Sequence, residues 1–192
     1  MILPADTRVL ALWQPWATLW ADPALPKTIE TRPQPIPSTI PLPAWVLIHA
    51  AMKRPEPGWV GDAYVNLWAD GEWHIGHAYK SWPDEPALPL GAVIGAAHIT
   101  ESLPMHGHDW PTDIDCIGVL SDEKVFRWTG GGIMSDMAMI VADLPYGDYR
   151  PGRWGYVTDR TVLFSDPIPW HGMQGWQRST AALRAAAQEQ MS

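Results

Sequence analysis

The segment from residue 90 to residue 100, LGAVIGAAHIT, sets the strictest constraint on the fold. It is apolar at nearly every position and rich in small residues, so other parts of the chain must cover both of its faces. A strand of this kind lies in the centre of a sheet or in the wall of a barrel, and its glycines allow bending or close backbone approach. The sequence therefore predicts a β-rich core built around Leu90–Thr100.

Twenty prolines among 192 residues divide the rest of the chain into short elements. Proline ends helices and cannot donate a hydrogen bond within a sheet, so a run such as residues 33–43 indicates turns and crossings. The length favours one domain with one good core. We therefore predict a single domain over residues 1–176, with an acidic insertion at about 103–143 and a C-terminal helical tail at 177–192.

Periodicity and turn residues predict the remaining elements. Further strands are predicted at residues 8–13, 27–32, 45–51, 154–158 and 162–164. Helices are predicted at residues 15–22, 57–70, 135–142 and 179–190. The last helix is expected to begin at Ser179 as its N-cap and to be a peripheral addition, and the other residues between 103 and 143 are expected to be irregular.

Composition argues against several kinds of site. The single cysteine, Cys116, excludes an internal disulfide framework and a cysteine-rich zinc site. Two short polar groups lack the spacing of a zinc motif, so we predict no metal and no cofactor; their members are His74, His77, His106, His108 and Asp109. No apolar run is long enough to cross a bilayer and the start of the chain lacks a signal-peptide pattern, so we expect a cytoplasmic protein without a membrane partner.

Charge is distributed unevenly along the chain, whose formal net charge is −8. Residues 1–54 carry a net charge of +2, residues 55–148 carry −12, and residues 149–192 carry +2. Phosphate groups are bound mainly by lysine and arginine. If the two ends of the chain meet in the fold, a locally neutral or basic cleft can lie beside an acidic flank.

Residues 13–32, WQPWATLWADPALPKTIETR, hold the densest group of candidate ligand-binding residues. In the predicted strand, Glu30 and Arg32 share a face, and Lys27 lies at the start. Such charges usually form a surface ion pair of little energetic value, but the neighbouring Gln14 and Trp16 favour a ligand site. The predicted ligand-binding residues of the whole chain are Gln14, Trp16, Lys27, Glu30, Arg32, His49, Lys53 and Arg153. A lone histidine on a buried strand, such as His49, is more often a core residue than a catalyst.

Six short segments occur in one order along most of residues 8–176. They are residues 13–17 (WQPWA), 27–32 (KTIETR), 48–50 (IHA), 90–95 (LGAVIG), 147–154 (GDYRPGRW) and 167–176 (PIPWHGMQGW). In this combination they resemble the ASCH domain family, relatives of the PUA fold, and leave only about 103–143 uncovered. The resemblance implies an α+β fold: a PUA-like small curved β-barrel with helices packed on one side, and a cleft lined by the first helix and the KTIETR strand.

The resemblance also implies a role with RNA or nucleotides, although a fold by itself does not define a function. Arg32 offers a planar fork for a phosphate or a base edge, Lys27 a point charge, Glu30 an acceptor for an exocyclic amine, and Trp16 a stacking face. We therefore expect a binding domain for RNA, single-stranded nucleic acid or a nucleoside or nucleotide, with a cleft for a single base, modified or not.

Two alternatives stay open, and the oligomeric state is not predicted. Some small bacterial relatives hydrolyse the acetyl amide of acetylated cytidine, and nuclease activity has been attributed to others. A hydrolase acting on N4-acetylcytidine or RNA would use Lys27 and Glu30 as its catalytic pair, with the carboxylate activating water and the ammonium stabilising an oxyanion. Glu30 stands where those amidohydrolases have a threonine, so a threonine nucleophile is not expected. The other alternative is a protein-interaction module that uses the acidic middle segment.

Overall fold

A computed structural model describes residues 2–24, 27–53, 88–106, 116–119, 125–128, 138–139 and 150–192. Its elements, in chain order, are β1 (Arg8–Leu12), α1 (Trp16–Ala21), β2 (Ile29–Arg32), β3 (Ala44–Ala50), β4 (Ala92–His106), β5 (Cys116–Val119), β6 (Val125–Trp128), β7 (Ala138–Met139), β8 (Trp154–Pro169), β9 (Gly175–Arg178) and α2 (Ala181–Gln190). The strands form a mixed sheet accompanied by two described helices, which confirms the α+β class.

The chain divides into two compact units. The first unit consists of Met1–Pro26, Ala44–His98 and Arg160–Ser192, and the second consists of Lys27–Pro43 and Ile99–Asp159. The long strands β4 and β8 contribute residues to both.

In the first unit, β1 is the central strand. It pairs in parallel with β3, with Arg8 opposite Val46, and antiparallel with β9, with Arg8 opposite Arg178. The other neighbour of β3 is β4. Successive residues of β1, β3 and the start of β4 are buried, as expected for strands covered on both faces. The prediction of a central, two-sided strand at Leu90–Thr100 is therefore confirmed, and the strand extends beyond it to His106.

The helix α2 belongs to the core of the first unit. Its residues Leu183 and Ala187 are buried in one apolar cluster with Leu3, Val9, Leu47, Val93, Ala96 and Phe164. The helix begins after Thr180, whose side-chain hydroxyl accepts a hydrogen bond from the backbone N–H of Leu183. The predicted N-cap at Ser179 is therefore wrong by one residue. The expectation of a peripheral helix is also wrong, because its alanine-rich sequence concealed one apolar face.

In the second unit, β2 pairs antiparallel with the start of β8, with Ile29 opposite Val157 and Arg32 opposite Trp154. Beyond β4, the strand β5 is parallel to it, and β6 and β7 follow in antiparallel order. The side chain and the backbone N–H of Thr158 both donate to the carbonyl oxygen of Thr28, at 2.7 and 2.9 Å. These bonds fix the backbone immediately before β2.

Several element predictions are confirmed and others need correction. Strands at 8–13, 27–32 and 45–51 and a helix within 15–22 are confirmed to within a few residues. The two stretches predicted at 154–158 and 162–164 are parts of the single strand β8. Residues described between 103 and 143 are strands rather than irregular, and Ala138–Met139 is a strand where a helix was predicted. A short Met- and Ala-rich run fits either period, which is why periodicity failed there. The helix predicted at 57–70 lies outside the described residues.

Two kinds of feature are absent from the described part of the chain. Neither described helix is long and apolar enough to cross a membrane. Histidine, cysteine and carboxylate side chains do not come together in threes within the described residues to hold a metal ion. Of the histidine-rich groups in the sequence, only His106 is described.

Candidate ligand site

Three predicted site residues form an ion-paired group at β2, here called the β2 charge cluster: Lys27, Glu30 and Arg32. The Lys27 ammonium donates a hydrogen bond to the carbonyl oxygen of Ile29 at 2.6 Å and lies 3.3 Å from Oε2 of Glu30. The other carboxylate oxygen, Oε1, lies 3.2 Å from Nε of Arg32. Each oxygen of Glu30 therefore faces one cation.

Burial is unequal within the β2 charge cluster. The side chains of Lys27 and Glu30 are 1% and 8% exposed, whereas that of Arg32 is 25% exposed. Two cations and one carboxylate give the cluster a formal charge of +1. Arg32 is thus the member that solvent reaches most easily, and Glu30 holds its guanidinium in place from the protein side.

Arg153 joins this region through the neighbouring strand. Its Nη2 donates to the carbonyl oxygen of Thr31 at 3.3 Å, and the adjacent Trp154 is opposite Arg32 in the β2–β8 pair. The backbone of Arg153 is held in turn by β4, because its carbonyl oxygen accepts from the N–H of Met105 at 2.8 Å. The second unit therefore brings together four of the predicted residues: Lys27, Glu30, Arg32 and Arg153.

The other four predicted residues, Gln14, Trp16, His49 and Lys53, belong to the first unit. Gln14 is completely buried and its amide makes three hydrogen bonds. Its oxygen accepts from the backbone N–H and the hydroxyl of Thr18, at 3.2 and 3.0 Å, and its nitrogen donates to the carbonyl oxygen of Pro89 at 3.1 Å. Gln14 thus ties the start of α1 to the segment that precedes β4.

His49 is 2% exposed and is packed inside the first unit. Its Nε2 lies 3.2 Å from the carbonyl oxygen of Trp170, which fits a donating N–H, and within the described chain Nδ1 has no hydrogen-bond partner. A β-carbon at Gly172 would lie 2.6 to 2.7 Å from the imidazole, so only glycine fits against this ring. Burial lowers the pKa of His49 and the nearby His171 lowers it further, while the bond to Trp170 acts in the opposite direction.

Lys53 contacts Trp13, which is not among the predicted ligand-binding residues. Its ammonium lies 4.5 Å from the centre of the Trp13 ring. Trp13 is 39% exposed, whereas the predicted stacking residue Trp16 is partly buried at the start of α1. Trp13 and Lys53 follow β1 and β3, whose parallel pairing puts their carboxyl ends at one edge of the sheet. That pairing was the missing information, because the two residues are 40 positions apart.

The described residues define an α+β protein with a mixed sheet, in which one short strand carries a buried ion pair and a more exposed arginine. No family model matches this sequence, and no curated protein matches it significantly. Membership of the ASCH family therefore stays a prediction based on the six segments.

Proposed function

We propose that this chain is an ASCH-type binding domain for RNA, single-stranded nucleic acid or a nucleoside or nucleotide, folded as a PUA-like small curved β-barrel with helices on one side. In this proposal the β2 charge cluster and Arg153 contact a phosphate or a base edge. The observation that carries the proposal is the cluster itself: a group with a formal charge of +1, ordered by a buried ion pair, in a chain of net charge −8.

Arg32 is the residue that would meet the ligand first. A guanidinium carries five N–H donors in a planar fork, and the Nε side of this one faces Glu30. The ion pair limits the rotation of the side chain, so less conformational entropy is lost when the guanidinium contacts a phosphate or a base edge. Glu30 therefore acts in this proposal mainly as a positioning residue.

Lys27 supports the same interpretation through its burial. Burying an ammonium and a carboxylate costs several kcal/mol of desolvation, and their mutual attraction regains only part of this cost. A protein with an apolar pair of similar volume in place of the buried ion pair is often at least as stable. Stability alone therefore does not require this pair. A buried positive charge behind Arg32 does raise the electrostatic potential that an anionic ligand would meet.

Equilibrium binding to a labelled single-stranded oligonucleotide tests this proposal. A fluorescein-labelled uridine decamer is titrated with the wild-type protein and with Arg32→Ala, and anisotropy is followed at several salt concentrations. Loss of a charged hydrogen bond of about 1.5 to 3 kcal/mol predicts a 10- to 150-fold weaker affinity. Unlabelled uridine and uridine monophosphate, added as competitors, show whether a single nucleotide is sufficient.

The matched control is Arg178→Ala, which removes the same charge from an exposed position on β9. This variant is expected to bind as the wild type does. Equal affinities of the wild type and Arg32→Ala would refute the assigned site, and a wild-type protein that binds neither oligonucleotide nor nucleotide would refute the function.

The hydrolase is kept as a second candidate because of one distance, the 3.3 Å between the Lys27 ammonium and Glu30. Water would add to the acetyl carbonyl of N4-acetylcytidine with its proton passing to Glu30, and the C–N bond would then break to give acetate and cytidine, whose amine takes up that proton. Both Glu30 oxygens already face a cation of the chain, Lys27 or Arg32, so the carboxylate is engaged within the protein and binding ranks first. Acetate release by the wild type but not by Glu30→Gln would reverse this order.

A further inference from the structure

We propose that Trp13 and Lys53 form a separate contact surface for single-stranded nucleic acid, in which a base stacks on Trp13 and Lys53 pairs with a neighbouring phosphate. This inference rests on the proposed function, since it concerns the same class of ligand. The stacking residue of this surface is Trp13, whereas the sequence had predicted Trp16 for that role.

The fold of the first unit creates this surface. The backbone N–H of Ala51 donates to the carbonyl oxygen of Leu12 at 2.8 Å, so the register of β1 and β3 continues to the point where both strands end. Trp13 and Lys53 leave the sheet at this shared edge, where their side chains meet at 4.5 Å. In open sheets with parallel strands, the edge formed by the carboxyl ends is the usual place for a ligand.

Exposure distinguishes Trp13 from other aromatic residues of this region. The ring is 39% exposed although it follows a strand whose last four residues are buried. A tryptophan has a large apolar surface, and leaving much of it in water is unfavourable unless a partner covers it. The cation–π contact with Lys53 holds the ring in a defined orientation, which reduces the entropy lost when a base stacks on it.

Charge at this edge favours an anionic partner over a cationic one, and the exposed Trp13 ring favours a nucleic acid among anionic partners. Residues 8–21, 44–53 and 88–100, which include β1, β3 and the start of β4, contain no aspartate or glutamate. These described segments therefore contribute a cation and no carboxylate to the edge, although the whole chain carries a net charge of −8. Single-stranded nucleic acids are bound by this combination of an aromatic platform and a cation that follows the backbone.

The test uses anisotropy of the labelled uridine decamer with substitutions at the two positions. Trp13→Leu is expected to weaken binding by about 5- to 150-fold, as removal of one base-stacking platform does, and Trp13→Phe is expected to recover part of this loss. Lys53→Ala is expected to reduce the slope of log affinity against log salt by about 0.7, and Lys53→Arg to restore it. Circular dichroism and thermal melting verify that each variant is folded.

Arg32→Ala, measured in the same assay, separates this inference from the proposed function. Weakened binding in Arg32→Ala together with unchanged affinity and salt slope in the Trp13 and Lys53 variants would overturn the inference and leave the function standing. Unchanged binding in Arg32→Ala with weakened binding in Trp13→Leu would refute the assigned cluster and support the stacking surface. A wild type that binds no decamer would overturn the inference as well.

Discussion

Replacing Glu30 with glutamine should destabilise the protein far more than replacing Arg32 with glutamine, although both belong to the β2 charge cluster. Glutamine preserves the size of the side chain and removes the charge that lies 3.3 Å from the buried Lys27 ammonium. Removing one partner of a buried ion pair costs about 3 to 5 kcal/mol. The lower end applies here, because the carbonyl oxygen of Ile29 still accepts from Lys27 and the new amide offers one oxygen.

The corresponding loss for Arg32→Gln should be about 1 kcal/mol or less, since this side chain is a quarter exposed and solvent screens its pairing with Glu30. For a chain of 192 residues, a loss of 3 kcal/mol lowers the melting temperature by about 6 to 12 °C, and a loss of 1 kcal/mol by about 2 to 4 °C. Lys27→Met in the Glu30→Gln background should recover most of the larger loss, because no unpaired ammonium is then buried.

Urea unfolding followed by circular dichroism measures these differences as shifts of the transition midpoint at constant slope. The wild type, the two single variants and the double variant are compared at pH 7 and moderate salt. Equal and small losses for Glu30→Gln and Arg32→Gln would refute the reasoning, since they would mean that Lys27 is solvated in solution. A double variant less stable than Glu30→Gln would contradict it as well.

Three further predictions concern the first unit. Burial lowers the pKa of His49 below its usual 6.5, so the unfolded chain binds this proton at higher pH than the folded chain does. The contribution of His49 to the free energy of unfolding should therefore be constant above about pH 6.5. As the pH drops below about 6.5, this contribution should decrease by at most about 1.4 kcal/mol per pH unit. Urea unfolding at pH 5 to 8 checks this, and an equal slope in His49→Gln would contradict it. Gly172→Ala should cost about 1 to 3 kcal/mol, because the added methyl group overlaps the buried imidazole, and a melting temperature equal to that of the wild type would exclude this overlap. Leu183→Ala should cost about 2 to 5 kcal/mol by opening a cavity in the core cluster, whereas Ala182→Gly, at an exposed position, should cost about 1 kcal/mol. If Leu183→Ala cost no more than Ala182→Gly, α2 would not be packed in the core.

The strands were predictable wherever the sequence carried a long apolar run. Residues 92–97 and 46–50, in the middle of the two predicted strands, are buried without interruption, and no polar periodicity obscured them. The continuation of β4 to His106 and the unbroken length of β8 were not predictable. The last residues of β4 are a mixture of buried and half-buried positions, and most residues of β8 from Asp159 onward are partly or fully exposed. Local periodicity does not report which neighbouring strand supplies the missing contacts.

The candidate site shows the same limit. Local spacing was sufficient to place Glu30 and Arg32 on one strand with Lys27 before it, and their ion pairs follow from that spacing. Burial of the Lys27 ammonium was not foreseeable, since it depends on strands that follow more than 100 residues later. Trp13 was missed for a related reason: only the parallel register of β1 and β3 brings it to Lys53.

Met52, immediately before Lys53, makes the sheet edge accessible to a chemical probe. Its side chain is 69% exposed, and its sulfur lies over Gly91, where an added β-carbon would be only 2.3 Å away. An exposed thioether is oxidised readily to the sulfoxide, and this change is detected by a mass increase of one oxygen atom. Mild peroxide treatment followed by peptide mapping therefore reports whether a bound molecule covers this edge, with Met173, which is 75% exposed, as an internal reference. The protein thus carries its own footprinting label beside the proposed stacking surface.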